Sequence, residues 1–179
     1  MASYRNKLPA ASGGAVIKSV QRGLSVLSGA ASLSVAINPV DMSRSVLLIS
    51  ISAGTGQSTD APSSAVCSAR LASETSIFIY RQISSPQPLS VSWEVVEYES
   101  GVSVQRGIIS SSGTIFSATI SAIDTSKSYS TCTSSPSGLS ATAMQAQVHG
   151  RVSSSTGLAF NRNTDFGSIS IDWQVVSYV

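Results

Sequence analysis

The segment LSVSWEVVEY at residues 89–98 decides the fold, because it returns as ISIDWQVVSY at residues 169–178. In both copies apolar residues alternate with polar ones over the first seven positions, which is the period of a β-strand. Polar residues on the second face are typical of an antiparallel sheet that covers a core on one side and meets water on the other. We therefore predict the same long strand at two places in the chain.

Other landmarks recur in the same order and at similar spacing. They are VQRG at 20–23 and 104–107, DMSRS at 41–45 and DTSKS at 124–128, and the arginine pairs Arg70/Arg81 and Arg151/Arg162. The separation between copies drifts only from about 84 to about 80 residues, as expected for one unit duplicated with small loop deletions. We predict an N-terminal arm at 1–15, a first β-sandwich repeat at 16–100 and a second at 101–179.

Alternation and turn residues predict six strands in each unit. In the first unit they lie near residues 16–22, 31–38, 45–52, 65–72, 75–82 and 89–98. In the second unit they lie near residues 102–109, 114–122, 128–134, 143–152, 156–162 and 167–178. The join at 98–102 is too short to be a linker, so the units must touch. The predicted fold class is all-β, with two tandem antiparallel β-sandwich units, jelly-roll-like, packed together.

Composition excludes several classes of protein. Charged residues are 11% of the chain, against roughly 25% in ordinary soluble domains, but a hydrophobic share of 42% supports a core and argues against disorder. The net charge is +2 and the basic residues are dispersed, so we expect no nucleic-acid partner. No apolar run approaches the roughly 18 residues of a membrane span. The first residues lack the apolar run of a secretory signal, so we expect synthesis in the cytoplasm.

Each copy keeps one arginine in its VQRG motif and one aspartate before its third strand. These are Arg22 with Asp41 and Arg106 with Asp124. In a chain so poor in charge, the simplest interpretation is an ion pair that pins a strand end; a bidentate carboxylate or phosphate site is the alternative. The glycine after each arginine is interpreted as serving a bulge or a sharp bend.

The aromatic residues and the remaining arginines are the candidates for packing and for contact. Trp93 and Trp173 are predicted core anchors, with a sugar-stacking platform as the alternative. Tyr98 and Tyr178 lie on the opposite strand face and are better candidates for ligand contact. The other recurring arginines are interpreted as a rim at a subunit interface, or as solvated strand ends: Arg70, Arg81, Arg151 and Arg162.

No catalytic or metal signature stands out, and we predict a non-enzyme without cofactor or metal. His149 is the single histidine and has no neighbour at metal-ligand spacing. No G-x-S-x-G elbow occurs. A carboxylate pair of Glu94 and Glu97 would exist in the first copy alone. The two cysteines are interpreted as small buried hydrophobes, with a disulfide between the units as the alternative: Cys67 and Cys132.

The stretch from Trp93 to Gly107 resembles Ser/Thr-rich β-domains of structural proteins of tailed bacteriophages, in which a W-Q-V-V-E-[YF] strand runs into a V-Q-R-G strand. WQVVSY at 173–178 and DTSKS at 124–128 match the same pattern. The resemblance covers most of the chain but carries no catalytic or metal position. It implies a component of the virion, such as a capsid-decoration protein, a fibre or a tail adhesin.

The resemblance also implies how such a protein would act. It suggests a homo-oligomer, with a trimer favoured, that binds other virion proteins through its N-terminal arm and strand edges. Tyr4, Arg5 and Lys7 are the candidate attachment residues of the arm. The alternative is a carbohydrate- or receptor-binding module of a tail, with a host surface glycan as its ligand. A self-assembling surface protein from another source is a third possibility.

Overall fold

A computed structural model describes residues 14–53, 62–136, 147–163, 165 and 167–179. In this part of the chain every strand pairing is antiparallel. The strands of the first unit are β1 (Val16–Leu27), β2 (Ser32–Ala36), β3 (Ser45–Ala53), β4 (Ser68–Ser73), β5 (Ser76–Tyr80) and β6 (Leu89–Ser100). Those of the second are β7 (Val102–Ser111), β8 (Ile115–Thr119), β9 (Ser128–Pro136), β10 (Val148–Ser154), β11 (Gly157–Arg162) and β12 (Ile169–Tyr178). The 3₁₀ helices are η1 (Met42–Arg44), η2 (Pro62–Ala65) and η3 (Thr125–Lys127).

Each unit is a sandwich of two three-stranded sheets, so the predicted all-β fold class is confirmed. In the first unit the sheet β1–β6–β3 covers the sheet β2–β5–β4, and in the second β7–β12–β9 covers β8–β11–β10. The central strands β6 and β12 are the two segments with which the sequence argument began. Their alternating apolar residues face inward, where Val91, Val95, Ile171 and Val175 are fully buried.

The tryptophan of each central strand lies across the glycine of the neighbouring VQRG motif. Gly23 is opposite Trp93 and Gly107 is opposite Trp173, in regular register. A Cβ atom on either glycine would overlap the indole ring. The predicted bulge or bend at these glycines is therefore wrong. They leave room for the ring, and β1 continues to Leu27 instead of ending near residue 22.

The two sandwiches follow one another with almost no connection. Gly101 alone separates β6 from β7, and its φ of 76° lies in the left-handed region that favours glycine. A separate apolar cluster fills the space between the units, formed by Val46, Val102, Val104 and Val176. The units therefore pack directly on each other.

Candidate functional site

The predicted arginine–aspartate pairs do not form, because each aspartate is satisfied locally. Asp41 caps η1 by accepting hydrogen bonds from the backbone N–H of Ser43 at 2.8 Å and from its hydroxyl at 2.6 Å. Asp124 caps η3 in the same way through Ser126, at 2.9 and 2.6 Å. These hydrogen bonds lower the pKa of both carboxyl groups. The two aspartates are therefore turn-capping residues.

The arginines of the two VQRG motifs have different partners. The Nε of Arg22 lies 2.7 Å from Oε1 of Glu94 on an exposed strand face. Arg106 instead donates from Nη2 to the carbonyl of Ser45, at 2.6 Å, across the boundary between the units. Burial lowers the pKa of this guanidinium. The arginine of the VQRG motif therefore forms an exposed ion pair in the first unit and an inter-unit contact in the second.

Arg81 and Arg162 are buried, at 0% and 5% exposure, so they form neither the predicted rim at a subunit interface nor solvated strand ends. Each guanidinium holds together the loops at one end of its sandwich by donating to backbone carbonyls. The acceptors of Arg81 are Ala30, Ser64, Ser85 and Gln87, and those of Arg162 are Ser112, Gly113 and Gly167. The hydrogen bonds of both side chains therefore serve their own unit.

The other two arginines of the predicted rim are also separated from each other. Arg70 is partly buried between the units, with Nη1 3.3 Å from Oδ1 of Asp172 and its guanidinium 4.6 Å from the ring centroid of Phe78. Arg151 is exposed on β10. The four arginines therefore form no common rim, and Arg70 serves an interface inside the chain.

The structure brings the two candidate ligand-contact tyrosines together with a third that sequence reasoning missed. The rings of Tyr129 and Tyr178 are 6.4 Å apart between centroids, and both are exposed. Tyr98 packs against the valine cluster between the units. Burial, and then the neighbouring tyrosines, raise the pKa of Tyr98 and of Tyr129. The position of Tyr129 gave no signal, because its repeat equivalent is Val46.

Glu94 and Glu97 do not form a catalytic carboxylate pair, because they lie on opposite faces of β6. Glu94 faces outward, whereas Glu97 is 2% exposed. Glu97 accepts hydrogen bonds from Lys18 at 2.9 Å, from Ser19 at 3.0 Å and from the backbone N–H of Asp41 at 3.0 Å. Burial alone would raise the pKa of Glu97, but these hydrogen bonds and the charge of Lys18 lower it. The role of Glu97 is therefore to tie β1 and the η1 turn to β6.

The remaining reactive residues are isolated. Both cysteines are free, and burial raises the pKa of the Cys67 thiol to about 12, which suppresses its nucleophilic thiolate form. His149 is exposed on β10. Among the described residues no cluster of three or more His, Cys, Asp or Glu side chains could hold a metal ion. No helix in the described ranges is both long and apolar enough to cross a membrane.

Polar contacts between the units involve the edge of the first and a sheet face of the second. The Gln174 side chain meets the backbone of Leu47 in both directions, accepting from its N–H at 3.0 Å and donating to its carbonyl at 2.8 Å. The hydroxyl of Thr133 accepts from the N–H of Ala69 at 3.0 Å. A cavity of about 350 Å³ remains beside these contacts, partly lined by Ile108.

The corresponding sheet face of the first unit is exposed away from the unit boundary, where Val46 and Tyr98 on the same side of the sheet pack in the valine cluster. We call it the free face: the outward side of the sheet β1–β6–β3. Its exposed apolar residues include Leu24 at 71%, Val26 at 50% and Leu48 at 42%, and the Arg22–Glu94 ion pair lies among them. This is the best candidate for an interaction surface in the described residues.

The candidate attachment residues of the arm, Tyr4, Arg5 and Lys7, lie outside the described residues. The sites that the structure does describe are therefore the free face and the tyrosine cluster, defined as Tyr98, Tyr129 and Tyr178. Comparison with protein-family models, with curated proteins and with solved structures finds no match for this chain.

Proposed function

We propose that the chain is a non-enzymatic structural component of a bacteriophage virion, a capsid-decoration or fibre-like protein that associates with its own copies and docks on the particle. The observation that carries the proposal is the duplicated, serine-rich β-sandwich, whose WEVVEY and VQRG strands resemble those of tailed-phage structural proteins. The free face supports it, because neighbouring exposed apolar side chains mark interaction sites.

The use of the charged residues also favours a structural role. Arg81 and Arg162 hold loops, Glu97 ties a turn to a strand, and Arg70 joins the two units. Among the described residues these charged groups serve the architecture of the fold. The exposed surface is then the part of the molecule available for function, as expected for a protein that binds other proteins.

Sedimentation with phage particles tests the proposal. Purified protein is mixed with capsids, and separately with tails, of the phage that encodes it, and each mixture is pelleted. We expect saturable co-sedimentation with capsids at a stoichiometry that matches the capsid symmetry. Protein that stays in the supernatant with both particles would contradict a docking role.

A carbohydrate- or receptor-binding module of a phage tail is the second candidate, and the tyrosine cluster is the observation that favours it. Tyr129 and Tyr178 expose two neighbouring rings, and aromatic rings with one wet end are common at binding surfaces. Binding of purified protein to host surface glycans would support this function if Tyr178→Ala abolishes it and Tyr178→Phe, which keeps the ring, retains it. Equal glycan binding by all three proteins would exclude the cluster as the site.

A further inference from the structure

The contact between the two units is of the head-to-tail kind, because it joins two different surfaces of the repeat. The first unit contributes an edge, formed by β3 and β4. The second contributes a face, the outward side of the sheet β7–β12–β9. Val46 on the edge packs against Val104 and Val176 on the face. The backbone of Leu47 on the same edge is held by Gln174 on the face.

Each unit has both surfaces, so within the described part of the chain one copy of each is left over. The unused face is the free face of the first unit. The unused edge, here called the free edge, is formed by β9 and β10 of the second unit. A head-to-tail contact between repeats can continue from chain to chain whenever the leftover surfaces have the same chemistry.

Positions on the free face correspond to positions on the covered face in strand register, and several of them carry similar residues. Val20 lies opposite Val96, as Val104 lies opposite Val176. Arg22 lies opposite Glu94, as Arg106 lies opposite Gln174. Leu24 on the free face takes the position of Ile108, which lines the inter-unit cavity. Ser50 takes the position of Thr133, whose hydroxyl binds the backbone of the edge. The free face therefore has an apolar patch and a hydroxyl at the matching positions.

The free edge matches the covering edge in the same way. Tyr129 occupies the place of Val46 and is 39% exposed, so an apolar ring is available where the valine packs. Ser130 replaces Leu47, which contributes only its backbone to the hydrogen bonds with Gln174. Arg151 replaces Arg70 and is exposed. The free edge thus presents the groups needed to contact the free face of another copy of the chain.

One difference between the faces concerns hydrogen bonding. The amide of Gln174 both accepts and donates, whereas an ionised Glu94 only accepts. Arg22 lies 2.7 Å from Glu94 and supplies the missing donor. Together the pair offers an acceptor for the N–H of Ser130 and a donor for a carbonyl of the approaching edge. A second difference is Ser92 at the position of Asp172, so the ion pair made by Arg70 has no counterpart.

We propose that copies of this chain associate head to tail, with the free edge of one copy seated on the free face of the next. The contact repeats the one that already joins the two units within a chain. Such a contact closes into a ring or continues as a filament. A ring of three chains, the order that the resemblance to phage structural proteins implies, would present six repeats. This inference rests on the self-association in the proposed function and does not depend on where in the virion the protein lies.

Two variants, each blocking one surface, test the proposal. Leu24→Asp places a charge on the free face, and Tyr129→Asp places one on the free edge. Ile115→Asp is the matched control, because Ile115 is 78% exposed on β8, outside both surfaces. Sedimentation-velocity analysis gives the mass of each protein, and circular dichroism follows its β structure.

We expect the wild type and Ile115→Asp to be oligomers, and Leu24→Asp and Tyr129→Asp each to be monomers. Mixing the two monomeric variants should give a one-to-one heterodimer, because each still has one intact surface. This outcome also shows that both variants are folded. A mixture that stays monomeric would overturn the head-to-tail geometry. If both single variants remain oligomers, the head-to-tail geometry is overturned but self-association stands. A monomeric wild type would contradict the geometry and self-association alike.

Discussion

Buried guanidinium groups hold the loop ends of both sandwiches. Arg81→Met would remove a guanidinium that donates to two buried carbonyls and to a partly buried one, at about 1–3 kcal/mol for each lost donor. We expect the free energy of unfolding to fall by about 3 kcal/mol or more. Arg151→Met, at an exposed arginine, should change it by less than about 0.5 kcal/mol. Urea denaturation of both variants measures the difference, and equal small losses would show that the Arg81 contacts contribute little.

The contact between glycine and tryptophan is the second feature that acts at the scale of single residues. In Gly107→Ala the added Cβ meets the indole of Trp173, so the ring or the strand must move. We expect a loss of about 1–3 kcal/mol in the free energy of unfolding. Gly113→Ala is the control, because its Cβ would meet its nearest neighbours at an ordinary 3.6 Å. Thermal denaturation compares the two, and an unchanged melting temperature in Gly107→Ala would refute the packing argument.

Single residues also show where sequence reasoning stops. The capping role of the two aspartates could have been predicted, because each precedes a serine by two positions. An ion pair with arginine was predicted instead. The burial of Arg81 and Arg162 had no local signal, since arginine is usually exposed and the carbonyls that bind it come from distant loops. Tyr129 was missed because the other copy of the repeat has a valine at that place.

At the scale of elements, Glu97 makes the attachment of β1 and η1 to β6 sensitive to pH. Its folded-state pKa is lowered, so the stabilisation is present above the unfolded value and is lost as the pH falls through the folded value. We expect the free energy of unfolding to fall below about pH 5. Glu97→Gln should be less stable at neutral pH and show a shallower decline.

Denaturant titrations of both proteins between about pH 3 and pH 7 check this expectation. Parallel curves for wild type and Glu97→Gln would contradict it. Asp41 and Asp124, whose pKa values are also lowered, remain in both proteins and contribute to the residual slope. In the second unit Ser177 replaces Glu97 and pairs with the hydroxyl of Ser128 at 2.8 Å, so that unit adds no matching carboxylate.

The strands themselves were largely predictable, because alternation of apolar and polar residues records which face meets the core. β6 and β12 were predicted at 89–98 and 167–178 and are observed at Leu89–Ser100 and Ile169–Tyr178. β1 was predicted too short, because Gly23 suggests a bend when read alone. The reason for glycine at position 23 becomes clear only when the ring of Trp93 is known to lie across it. The length of β1 could therefore not be predicted without knowing which distant strand pairs with it.

At the scale of the whole molecule, the Gln174 amide links the two sandwiches by hydrogen bonds in both directions. Gln174→Ala would leave the Leu47 backbone groups without this partner. We expect a loss of about 1–3 kcal/mol in the free energy of unfolding, because both groups are partly buried. Gln105→Ala, whose amide meets Ser121 on an exposed part of one unit, is the control. Similar losses in chemical denaturation would mean that the link adds nothing specific to the interface.

The central proposal is that the chain is a structural part of a phage particle. The most direct test is quantitative mass spectrometry of purified virions of the proposed source phage, with the major capsid protein as the internal standard. The account predicts that the protein is present at a fixed copy number that is a multiple set by the particle symmetry. Its absence from purified virions, with abundant protein in the lysate, would contradict the account.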